Sequence, residues 1–190
     1  YKKKIYLKPI KNILFVGHDL KFIKNIIDRF KIFNNVKIDK WKNHTEHDKN
    51  NSKQLLLWAD IIFCEWCLGN AIWYSKNKLT HQKLYIRFHR QELLTRYPNN
   101  VMWNNVNNII FIAPKIQFII NEKIIDTTSK SILIYNYISK NINIGMQEKN
   151  NYKFNIGVLG YLPLIKRPDI AVNIIEKLID KDNRYKLIIK

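Results

Sequence analysis

The run Asn12-Ile13-Leu14-Phe15-Val16-Gly17 decides how the rest of the chain is read. Four consecutive apolar residues of β-type, ending at a glycine, suit a short strand covered on both faces. Beyond it, Phe22, Ile23, Ile26, Ile27 and Phe30 recur at helical spacing, with Asp19 placed to cap the helix. Strand, glycine, helix is the opening of a layered α/β domain.

The alternation continues along the chain. Val36–Lys40 reads as a second strand, and the polar stretch after it, through Asn51, reads as loop. Ala59–Phe63, Lys83–Phe88, Asn108–Ile112 and Ser131–Tyr135 read as further strands. Helices are expected around Ile72 and Trp73, and around Ile116, Ile119, Ile120 and Ile124. Strands that are apolar throughout and separated by helices imply a doubly wound parallel sheet of Rossmann-like type. The Asn-rich segment Ser139–Tyr152 reads as a linker, after which the opening pattern returns. Asn155–Leu159 runs to Gly160, and Ile170, Ala171, Ile174, Ile175, Leu178 and Ile179 follow on one helical face, with Pro168 in the first turn. Residues 1–145 are therefore expected to form one complete domain, and residues 152–190 the start of a second. The abrupt end in the strand-like run Tyr185–Ile189 and the missing initiator Met suggest a partial chain.

Composition narrows the classes. The chain has 190 residues, 46% of them apolar and 25% charged, with only five Gly and five Pro, which excludes fibrous, linker-like and low-complexity proteins. No apolar run approaches the ~20 residues of a membrane span, and the lysines at 8 and 11 interrupt any signal-like start. Two cysteines cannot build a disulfide framework, so a reducing cytoplasm is the expected compartment. The net charge of +18 is large, yet Ile, Lys and Asn supply roughly 44% of the chain, a bias that loads lysine onto surfaces without a task. A solvated basic surface, attraction to anionic lipid or polyphosphate, and nucleic-acid binding all remain open from charge alone.

In an open α/β sheet, ligands bind at the carboxyl ends of strands. Four such ends carry unusual residues: Gly17-His18-Asp19, Glu65-Trp66, His89-Arg90-Gln91-Glu92, and Gly160 through Lys166-Arg167. Cations at a helix start suit a diphosphate. There is no GxGxxG, no GxxxxGK[ST] and no nucleophile elbow. Cys64-Glu65-Trp66-Cys67 is a CxxC, and His44 and His47 lie upstream, so packed thiols, thiol redox and a two-His, two-Cys zinc site are all formal readings.

These segments resemble those of GT-B fold bacterial glycosyltransferases of the retaining, family 4-like type. Ala59 to Cys67 resembles the "ADxxFxEW" stretch of such enzymes, and Ile86 to Glu92 their "RxHxxE" segment. Trp103 to Ile112 is similar to "WxxVDxxIFV", Ile134 to Ile138 to "IxNGV", and Gly157 to Lys166 to the "GxxGxLxxxK" that opens the donor domain. The resemblance implies transfer of a sugar from a nucleotide-diphosphate sugar to an acceptor hydroxyl with retention, without a metal or other cofactor. It assigns catalysis to His89 and Glu92, donor phosphate binding to Gly17, Gly160, Lys166 and Arg167, and the acceptor side to His18, Asp19, Glu65 and Trp66. Tyr161 stands where an arginine is common in relatives, so the second phosphate cation is Arg167 or lies elsewhere. A glycan or lipid-linked acceptor, surface polysaccharide or glycolipid synthesis, and peripheral contact with an anionic inner membrane face are the implied setting. The donor-domain glutamates of the family fall beyond residue 190, so these residues alone are expected to be inactive. The alternative is a basic α/β module that binds nucleic acid without catalysis. The transfer reading fails if His89 lies deep in a hydrophobic interior or on the opposite sheet edge from Gly17.

Overall fold

The structure, a computed structural model, describes residues 9–137, 152–160 and 167–189. The chain divides into two compact units, residues 1–138 and 139–190.

The first unit is an α/β domain around a six-stranded parallel sheet, a Rossmann-like architecture. Its strands are β1 (Asn12–Gly17), β2 (Asn35–Lys40), β3 (Ile61–Glu65), β4 (Lys83–Phe88), β5 (Asn108–Phe111) and β6 (Ser131–Leu133), and its helices are α1 (Lys24–Phe30), α2 (Lys49–Trp58), α3 (Gly69–Asn77) and α4 (Pro114–Lys123). The strand order is β2-β1-β3-β4-β5-β6. The chain leaves β1 toward one edge and returns past it to β3, so the direction of winding reverses between β1 and β3. At such a switch point the connections diverge and open a crevice at the carboxyl ends.

Strand alternation builds two cores. Ile13 and Phe15 turn to one face and join Ile23 and Ile27 of the segment after β1, with Ile61 and Phe63 packed against them. Leu14, Val16, Ile62, Cys64, Leu84, Ile86, Phe88, Ile109 and Phe111 turn to the other, under Leu56 of α2, Ala71 and Tyr74 of α3, and Ile116 and Ile120 of α4. Three helices thus cover one face, and α1 covers the β1 side of the other.

Several elements differ from the sequence reading. The segment through Asn51 is not all loop, because α2 starts at Lys49, with the Asp48 carboxylate accepting from the backbone N–H groups of Asn50 and Asn51, both at 3.0 Å. Only Ser52 and Leu56 of this helix are buried, too thin a stripe to read as amphipathic. Asp19 does not cap α1: its carboxylate accepts from Lys21 N–H, and a 3-10 turn over Lys21–Ile23 precedes the helix. That turn rotates Phe22 out of the core, leaving it 39% exposed. Strand β3 begins two residues later than expected and extends to Glu65.

The second unit holds β7 (Asn155–Val158), α5 (Pro168–Ile179) and β8 (Lys186–Ile189). β7 and β8 pair in parallel, and Pro168 occupies the first turn of α5, where its missing N–H costs nothing.

Candidate functional site

On the face under α1, the strands change character along their length. Phe15 meets Phe63 and Phe30 there, with ring centroids 5.4 and 5.9 Å apart. One alternation step further toward the carboxyl edge the same face carries Glu65, paired in register with Arg87, and then His89. Glu65 is fully buried, and only 4% of the Arg87 side chain and 5% of the His89 side chain reach solvent. Arg87 Nη1 donates to Glu65 Oε1 at 2.5 Å, and its Nη2 donates to Asn136 Oδ1 beyond β6. His89 Nε2 lies 2.8 Å from the same Glu65 oxygen. A guanidinium and an imidazole N–H both donate, so the carboxylate neutralises one charge and orients one ring.

The tautomer of His89 follows. Nε2 lies 3.3 Å from Arg87 Nη1, which cannot accept a hydrogen bond, and 2.8 Å from a carboxylate, which can only accept when ionised. A proton therefore sits on Nε2, and in the neutral ring Nδ1 carries the lone pair. Among the described residues Nδ1 has no hydrogen-bond partner. Glu65 Oε2 is likewise buried without a partner among them. A carboxylate-oriented imidazole with an open ring nitrogen can accept a hydrogen bond or a proton from a hydroxyl.

Over His89 lies Trp66, its ring 3.9 Å away and nearly parallel at 23°. Phe22 approaches both rings, at 5.4 Å from His89 and 5.8 Å from Trp66. Trp66 has φ of 72°, the left-handed region that a bulky side chain enters at a cost of about 1–2 kcal/mol. Its indole N–H donates to the Asp19 carbonyl at 2.8 Å, reaching across the switch point. Asn70, buried at the start of α3, donates to the carbonyls of Val16 (3.3 Å) and Glu65 (3.0 Å) and so joins the ends of β1 and β3.

The residues singled out from sequence fall into distinct places. Gly17, His18, Asp19, Glu65, Trp66, His89 and Glu92 all gather at this one edge. His89 is nearly buried, but against a carboxylate and a guanidinium as well as two aromatic rings. Glu92 has a different position from the catalytic one expected of it. Its Oε1 accepts from the backbone N–H groups of Cys67 (3.0 Å) and His89 (3.1 Å), which makes it a staple between two loops. Burial pushes its pKa up against those two bonds, and its Oε2 has no partner among the described residues. Gly17 sits in a tight place: a Cβ there would lie 3.0 Å from the Glu65 carbonyl oxygen and 3.0 Å from Leu20. His18 touches His44, with ring centroids 4.6 Å apart, and burial lowers its pKa, with His44 adding to the effect. Asp19 is engaged by Lys21 at 2.8 Å.

In the second unit, Gly160 has φ of 76° with open space where a Cβ would project. Lys166 lies outside the described residues. Arg167 is the N-cap of α5, and its exposed guanidinium is turned to Asp169 of the first turn at 2.7 Å.

Both cysteines are buried thiols, and burial pushes each pKa well up, which suppresses the thiolate that redox chemistry and metal binding require. His47 stacks on Trp41 at 3.9 Å and its Nδ1 lies 2.7 Å from Ser52 Oγ, away from the cysteines' role in the core. Among the described residues no group of three or more His, Cys, Asp or Glu is placed to hold a metal ion.

Sequence reasoning met Arg87 and Asn136 only as members of the resembling segments and gave them no role, passed over Asn70, and missed a second polar cluster. Asp39, 1% exposed at the end of β2, accepts on one oxygen from Trp41 Nε1 (2.9 Å), Ser52 Oγ (2.6 Å) and Tyr74 OH (2.8 Å). The signal was present: an aspartate inside a β-type run followed at once by tryptophan needs a partner if the strand is covered. In comparisons with known proteins, the chain matches no family model and no curated relative.

Proposed function

We propose that the first unit is the acceptor-side domain of a retaining glycosyltransferase of GT-B type, which transfers a sugar from a nucleotide-diphosphate donor to an acceptor hydroxyl. The observation that carries this reading is the Glu65–His89 pair at the switch-point edge, with the open Nδ1 of the imidazole as its working atom. In such a transfer the bond from the anomeric carbon to the diphosphate oxygen breaks as the acceptor oxygen bonds to that carbon, and the acceptor proton leaves with the departing phosphate oxygen. In the neutral ring the oriented Nδ1 accepts a hydrogen bond from a sugar hydroxyl and holds the sugar in place while charge develops. The Glu65 carboxylate keeps the tautomer that makes this possible and stabilises positive charge gained by the ring. Glu92 and Arg87 position these two groups without touching substrate.

Donor phosphate binding rests on the resemblance at Gly160 and Lys166. Arg167, exposed at the start of α5 and paired with Asp169, is a candidate second cation. A lipid-linked or glycan acceptor, met at an anionic membrane face in the cytoplasm, is compatible with the basic composition. No helix among the described residues is long and apolar enough to cross a membrane.

The test is a transfer assay on the gene product that carries these residues, with a panel of nucleotide-diphosphate sugars and hydroxyl acceptors, following release of the nucleoside diphosphate. His89→Ala is expected to lower turnover by about 100-fold while the protein stays folded, the lower end of what a positioned imidazole supplies. Turnover unchanged by His89→Ala, or absent across the panel in the wild type, overturns the proposal.

A further inference from the structure

We infer that Trp66 is a positioning residue for His89, and that the left-handed turn carrying it is built for that task. The peptide planes on either side of a residue set its φ and ψ, and both planes at Trp66 are held by buried side chains. The plane before it is held at the Glu65 carbonyl, which accepts from Asn70 at 3.0 Å. The plane after it is held at Cys67 N–H, which donates to Glu92 at 3.0 Å. Gly17 closes the third side: a Cβ there would sit 3.0 Å from the Glu65 carbonyl oxygen, tighter than side chains ordinarily pack. Three separate contacts thus keep a tryptophan where a glycine would rest without strain.

What the strain achieves is visible in the ring. The indole lies flat on His89 at 3.9 Å, and its N–H is tied to the Asp19 carbonyl at 2.8 Å, so it cannot turn away. Glu92 acts on both ends of this contact, since the oxygen that holds Cys67 also accepts from His89 N–H. The imidazole is therefore confined by a carboxylate at Nε2, by a staple at its backbone and by a stacked ring on its face. Only Nδ1 is left to meet a ligand. A ring free to tilt about Cβ–Cγ would carry Nε2 out of line with the Glu65 oxygen and weaken that bond. The stacked indole plane opposes that tilt.

The inference holds or fails independently of sugar transfer, because its readout is the protonation of one ring. The experiment is nitrogen-15 NMR of the full chain labelled at histidine, with the His89 signals identified by their loss in His89→Gln. Wild type is expected to show a single tautomer, protonated at Nε2. Trp66→Gly relieves the backbone strain but removes the stacked plane, and the Nδ1-H to Nε2-H ratio should rise at least threefold. Trp66→Phe, which keeps a flat ring, should return the ratio to within twofold of wild type. Should Trp66→Gly fail to fold, Trp66→Leu keeps apolar bulk without a stacking plane and is expected to raise the ratio in the same way. A tautomer ratio unchanged in folded Trp66→Gly or Trp66→Leu, with only stability altered, overturns the inference, as does a wild-type ring protonated at Nδ1.

Discussion

Replacing Arg87 by methionine tests the electrostatics beneath the site. The guanidinium makes two contacts, one to Glu65 Oε1 at 2.5 Å and one to Asn136, and both charged side chains are almost wholly out of water. Methionine has similar reach and keeps the apolar stem contacts, so the change isolates the charge. Removing one partner of a buried pair leaves the other uncompensated, which costs about 3–5 kcal/mol, whereas replacing both by uncharged groups of similar size is often close to neutral. At about 3 °C per kcal/mol for a domain of this size, Arg87→Met should lower the melting temperature by about 9–15 °C. Glu65→Gln combined with Arg87→Met should recover most of that loss. Thermal and urea unfolding followed by circular dichroism, at neutral pH and moderate salt, measure both variants. A loss below about 1 kcal/mol for the single variant contradicts the burial argument. A double variant no more stable than the single one assigns the effect to packing instead of charge.

Three further outcomes are expected. Tyr74→Phe deletes one of three donors to the buried Asp39 oxygen and should cost about 1.5–3 kcal/mol by urea unfolding, the range for a hydrogen bond to a charged group; a cost under 0.5 kcal/mol would mean the remaining donors close the gap. Burial holds the pKa values of His18 and His47 below 6.5, so the folded chain takes up protons less readily than the unfolded one. Their contribution is intact above pH 6.5 and is lost as pH falls below it, hence stability should decline from pH 7.5 to 5.0, and less steeply in His47→Gln. Filter binding of the chain to single- and double-stranded oligonucleotides should show only weak retention that vanishes at physiological salt; useful affinity there would favour the nucleic-acid reading of the +18 charge.

Local pattern was enough for most of the scaffold. Lys83–Phe88 was read with its observed bounds because a buried parallel strand is apolar almost throughout and needs no knowledge of its neighbours. Val36–Lys40 and Asn108–Ile112 come within one residue of the strands they form, the first an edge strand in which Val36 and Ile38 alternate with charged residues. The polar residues at the strand ends were legible as a group, since in a parallel sheet every carboxyl end falls on one edge. Helix α2 escaped because its buried side is only Ser52 and Leu56, and the serine is there for Asp39.

The composition and period of the sequence alone determined that this chain builds a parallel sheet with polar groups along one edge. Only the tertiary structure decided what each group does there. It turned Glu92 from a candidate catalyst into a staple, set Gly17 close against the Glu65 carbonyl, and set Phe22 beside His89 instead of in the core. Such roles depend on which side chains from distant strands arrive within 3 Å of one another. That is a matter of strand order and register, the long-range quantities that hydrophobic periodicity does not encode.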